Sequence, residues 1–181
     1  MKAHRNLKRH VLAVSLALTA GTAHAATQGT LGASSSGTAD ISISKGDVVL
    51  ITNITDVNFP QWTPGDGDQS AHGQACVYSS TGNYSIVATS TNGVGGFQMD
   101  DGSNNMLDYA ISWIDDQAGA AAVPLNNGQI SGTTMTGSGS TSCNDLSGVN
   151  ARFQVDITDA DLASTPSGSY SDTLTLTVVP M

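Results

Sequence analysis

Apolar and polar residues alternate along this chain far more often than they recur at spacings of three and four, so the pattern predicts strands and almost no helix. The sharpest alternation comes last, with Leu174, Leu176 and Val178 on one side of an extended segment and Thr173, Thr175 and Thr177 on the other. Further strands are expected over 47–54, 75–79, 84–91, 96–99, 106–113, 129–135 and 151–157, where β-branched and aromatic residues collect. Turn chemistry separates them, notably Pro64-Gly65-Asp66-Gly67-Asp68, Asn126-Asn127-Gly128 and the run from Asp100 to Asn105. One helical turn is expected at 159–163, capped by Asp159, as a crossover into the final strand. Short strands at this spacing argue for an all-β sandwich.

The first 25 residues read as a signal peptide. They carry a basic start (Lys2, Arg5, Lys8, Arg9), an apolar stretch over 11–20, and Ala23-His24-Ala25 as a cleavage site. That stretch is shorter than the ~20 residues a spanning helix needs. Removing 25 of 181 residues leaves 156, enough for one domain with a core. Residues 26–46 read as an N-terminal extension and 47–181 as the sandwich. Within the extension the odd positions Leu31, Ala33, Ser35, Gly37, Ala39, Ile41 and Ile43 form a row of small and apolar side chains, suited to a strand that slots into a groove. The same composition also fits a flexible Gly/Ser linker running into an ordinary strand near residue 40. Gly46 then breaks the run.

Charge changes the list of partners. Beyond residue 25 only Lys45 and Arg152 stand against fifteen aspartates, a net charge of 2 − 15 = −13. Such a surface repels nucleic acid and anionic headgroups, and no later segment is apolar enough to insert directly in a membrane. Two cysteines, Cys76 and Cys143, in an exported chain are expected to close as a disulfide. The competing reading, a catalytic thiol, has only His72 as a base, expected in a Gly-rich loop, Ser70-Ala71-His72-Gly73. Asp66 with Asp68, and Asp100 with Asp101, are candidate calcium ligands, but neither pair has EF-hand spacing, and acidic turns account for both. No nucleophile elbow or marked carboxylate pair is present, and Asp115-Asp116 reads as the turn after Trp113. The expectation is no enzyme, no metal and no cofactor. Trp113 is expected in the core; Trp62 fits either a buried place or a sugar-stacking surface.

Several stretches, in this order, resemble a chaperone-usher pilin, in particular the spore coat protein U group and the archaic and alpha-type pilins related to it. They are Ala75-Cys76-Val77-Tyr78-Ser79, Tyr84-Ser85-Ile86 with Ala88, Leu107-Asp108-Tyr109-Ala110-Ile111-Ser112-Trp113, and the ending Pro166-Ser167-Gly168-Ser169-Tyr170-Ser171-Asp172-Thr173-Leu174-Thr175-Leu176. The resemblance implies an immunoglobulin-like, pilin-type β-sandwich that lacks its last strand and is completed by a donor strand from another subunit. Tyr170, Leu174, Leu176 and Val178 would then line the acceptor groove, and Leu31, Ala33, Gly37, Ala39, Ile41 and Ile43 would supply the donor. The implied function is a structural subunit of a surface fibre. Its partners would be copies of itself or related pilins, a periplasmic chaperone and an outer-membrane usher, and its route would lead through the periplasm to the cell surface. The chain stops at Met181, directly after the final strand, as such a subunit is expected to. Two features depart from the pattern: the donor row is poor in bulky groups around Ser35 and Gly37, and the first cysteine lies at Cys76, not early in the chain. The alternative is a monomeric secreted binding module, adhesin-like or a surface coat protein, in which residues 30–44 pair with their own chain.

Overall fold

The computed structural model describes residues 26–116 and 121–181; the expected signal peptide lies outside them. The chain divides into two units, Met1–Lys45 and Gly46–Met181.

In the second unit the alternating stretches become strands: β1 (Val49–Thr52), β2 (Gln69–Ser79), β3 (Asn83–Ser90), β4 (Phe97–Asp100), β5 (Met106–Asp115), β6 (Val123–Pro124), β7 (Met135–Thr136), β8 (Ala151–Ile157) and β9 (Leu174–Pro180). They build an all-β sandwich of two antiparallel sheets. One runs β1-β2-β8-β5-β4, with β6 beside β5, and the other runs β7-β3-β9.

Alternation places the core between the sheets. Ala151, Phe153, Val155 and Ile157 of β8 point inward and are buried, as are Leu107, Tyr109, Ile111 and Trp113 of β5, and Tyr84, Ile86 and Ala88 of β3. Trp113 ties the layers together as expected of a core residue. Its Nε1 donates to the Tyr84 hydroxyl of the facing sheet at 3.0 Å, and its ring stacks on Phe153. A buried Trp N–H thus has the partner that burial requires.

Three local expectations need correction. The stretch Ser70-Ala71-His72-Gly73 is not a loop but the first half of β2, paired with β8 from Gln69↔Ile157 to Ala75↔Ala151. Gly73 lies opposite Phe153, and a Cβ there would sit 2.2 Å from the ring and 2.8 Å from the Thr55 carbonyl oxygen. The glycine therefore makes room for the aromatic side chain that crosses it. Asp115 is not a turn residue: it ends β5, is 2% exposed, and accepts from the Thr136 amide at 2.6 Å. The single α-helix, among the described residues, α1 (Asp159–Ser164), is capped by Thr158 and not Asp159, because the Thr158 hydroxyl accepts from the Asp161 amide.

The expected strand at 129–135 forms only in part. Ile130 makes an isolated bridge to Val87, and regular pairing with β3 resumes at Met135. Ser131 and Gly132 lie between them, and the Ser131 hydroxyl accepts from the Ile86 amide in place of a continuous ladder.

Candidate functional site

The site grows from the last strand. Its L-T-L-T-V repeat turns Leu174, Leu176 and Val178 toward the core and Thr175, Thr177 and Val179 toward solvent. One edge of β9 is fully used, paired with β3 from Ser90↔Leu174 to Tyr84↔Pro180. Along its other edge no strand pairs among the described residues. The same is true of β1, which pairs with β2 from Val49↔Ser79 to Thr52↔Cys76 and has no second partner strand there.

These two unpaired edges belong to opposite sheets, and their Cα atoms come within 8 Å of one another. Between them runs a seam in which the core is incompletely covered. Tyr84, Ile86 and Ala88 on β3 are 0% exposed, whereas Leu174, Leu176 and Val178 next to them on β9, and Val49 and Ile51 on β1, are only half-buried. Leu50 and Val179 add exposed apolar side chains on the outer faces of the same two edges. An apolar row beside unpaired backbone donors and acceptors can take an additional strand, through ladder hydrogen bonds and alternate side chains.

Three of the four residues expected to line an acceptor groove therefore sit together. Tyr170 lies outside β9, before its first residue. Its hydroxyl donates to the Pro166 carbonyl at 2.6 Å, and the next residue, Ser171, pairs with Asp100. Tyr170 packs against the same core as the Leu174 row, from the segment that crosses to β4 before β9 begins.

The start of β9 is fixed by a residue that the sequence hid in turn chemistry. Asp172 accepts at one oxygen from Ser90 Oγ (2.6 Å) and from the Tyr109 hydroxyl (2.5 Å), and at the other from the amides of Thr91 and Asn92. It thus joins β3, β5 and β9. Burial, reinforced by this carboxylate, pushes the Tyr109 hydroxyl pKa upward. Its only signal in the sequence is an acid between a turn and an alternating strand.

Cys76 and Cys143 form the expected disulfide, with Cα atoms 5.8 Å apart. It anchors the 137–150 loop to β2, the neighbour of β1. Asn150 does the same from inside: its side chain accepts from the Val77 amide at 2.7 Å and donates to the Val77 carbonyl at 2.9 Å, as a paired strand would.

The acidic turns are occupied by their own chain. Asp66 accepts from the Thr63 amide and hydroxyl, and Asp101 from Asn105 and Ser103, which hold its carboxyl below the usual range, Asn105 foremost. Trp62 is half-buried, with Nε1 donating to the Gly67 carbonyl at 3.3 Å.

In the first unit the expected donor residues Leu31, Ala33, Gly37, Ala39, Ile41 and Ile43 are all exposed. They do not form one extended strand. The backbone bends over 31–34 and Thr27 pairs with Thr38, their amides and carbonyls exchanging hydrogen bonds of 3.0 and 3.1 Å.

The sequence matches no family model and no curated protein. Among solved structures the chain is similar to the CupB6 tip adhesin from Pseudomonas aeruginosa, at 17% identity and a TM-score of 0.33 over 74% of this chain. It spans 42% of that protein's length. No helix among the described residues is long and apolar enough to cross a membrane.

Proposed function

We propose that this protein is a structural subunit of a surface fibre of the chaperone-usher kind, in which the β1–β9 seam of one copy receives the N-terminal segment of another. The observation that carries the reading is the contrast across β9: one edge is laddered onto fully buried β3, while the other is unpaired among the described residues and flanked by half-buried Leu174, Leu176 and Val178. Such an edge left open is an aggregation hazard, which gives a periplasmic chaperone a physical task before assembly, and an usher the task of exchanging it. Insertion of one copy's segment into the next does not close on itself, so the product is a fibre and not a ring. Catalysis plays no part in this reading.

The test is gel electrophoresis of material sheared from the cell surface, with and without boiling, for the intact chain and for a variant lacking residues 26–45. A ladder that collapses on boiling and vanishes with the deletion is the expected result. A single monomer band in both would overturn the fibre reading and leave a self-contained secreted module.

A further inference from the structure

We propose that the strand passed between copies is confined to residues 39–43, and that residues 27–38 stay outside the seam as a self-closed loop. This rests on the reading of the β1–β9 seam as an acceptor.

The loop is closed by more than its two backbone hydrogen bonds. The Thr27 and Thr38 hydroxyls lie 2.5 Å apart, and the Thr38 amide also approaches the Thr27 hydroxyl at 3.2 Å. Gly37 is required by this closure, since a Cβ at that position would stand 2.8 Å from the Thr27 carbonyl oxygen. That accounts for one of the features least suited to a long donor strand: Gly37 is small because its backbone packs against the Thr27 carbonyl, and not because it fills a shallow pocket. A residue whose amide and carbonyl are spent on Thr27 has neither left for a neighbour's strand.

What lies beyond the loop has the form of an insert. Ala39, Ile41 and Ile43 alternate with Asp40 and Ser42, both isoleucines are 97% exposed, and the stretch makes no ladder of its own among the described residues. From Ala39 to Ile43 an extended chain covers about 13 Å, and so does the span from Leu174 to Val178, at about 3.3 Å per residue. Three alternate side chains of the arm thus match three alternate positions on β9. On the C-terminal side the arm is limited by Val48, which is already held to Ser80 by two hydrogen bonds of 2.9 Å. The occupant of the seam is therefore the 39–43 arm of a second copy.

Aspartate substitutions along the row separate a short insert from a long one, read as the unboiled ladder, with the yield of disulfide-bonded subunit as the check on folding. Leu31→Asp and Ala33→Asp are expected to leave the ladder within about twofold of the unaltered chain, while Ile41→Asp and Ile43→Asp abolish it at unchanged subunit yield. Loss of the ladder in Leu31→Asp or Ala33→Asp at unchanged yield would overturn the short insert in favour of the whole row. Ladders in both isoleucine variants would place the donor elsewhere and overturn it as well. If the unaltered chain gives no ladder, the acceptor reading itself fails.

Discussion

A glycine in the middle of a strand ordinarily weakens it, yet at Gly73 β2 has no room for any side chain. The Phe153 ring occupies the space its side chain would take, and Phe153 is in turn stacked on Trp113, which hydrogen-bonds across to Tyr84. Gly73→Ala is expected to push this aromatic column off its packing and cost about 1–3 kcal/mol. A shift of the denaturant midpoint to lower concentration checks it; an unchanged midpoint would mean that the ring moves freely. Asp172 and Asn150 give the same lesson with polar atoms. Each is a short side chain in a turn or loop by sequence, and each satisfies several backbone or hydroxyl groups that only the fold brings near.

At the scale of elements, alternation marks strands well where one face is buried along its whole length. The expected 151–157 is β8, and the expected 106–113 is β5 lengthened by two residues. Alternation is lost where a strand contains glycine, as in the first half of β2, and where pairing is broken, as between Ile130 and Met135. β6 is two residues long and leaves no pattern to read. The disulfide belongs to this scale because it links β2 to a loop 67 positions away. Removing such a link restores freedom to the unfolded chain. Cys76→Ser is expected to lower stability by about 2–5 kcal/mol, measured as the difference in denaturant midpoint between oxidised chain and variant. Equal midpoints would show that Asn150, together with the backbone bridge between Ser138 of the loop and Tyr78 of β2, holds the loop unaided.

For the whole molecule, two tyrosines bind the facing sheets through their protonated hydroxyls. Burial raises the pKa of both well above 10.0, against the opposing hydrogen bond from Trp113 in Tyr84, and with the Asp172 carboxylate adding to it in Tyr109. The unfolded chain releases these protons near pH 10 while the native one keeps them, so the native state then binds more protons and stability falls as pH rises. The stabilisation is complete below pH 10 and is lost as pH climbs toward the raised values. Unfolding midpoints measured from pH 8 to 11 are expected to drop above 10, and Tyr109→Phe to flatten part of that drop. A flat profile in the unaltered chain would show that these hydroxyls ionise as freely folded as unfolded.

The sequence by itself determined the all-β class, most strands, the cysteine pair, the acidic surface and the row of Leu174, Leu176 and Val178, because each follows from local alternation, turn residues or composition. The tertiary structure decided which edges stay unpaired. Whether a strand has one neighbour or two depends on where the rest of the chain runs, and no pattern within β1 or β9 records it. It also decided that the N-terminal row is two pieces, since the pairing of Thr27 with Thr38 is a contact between residues eleven apart that alternation alone reads straight through.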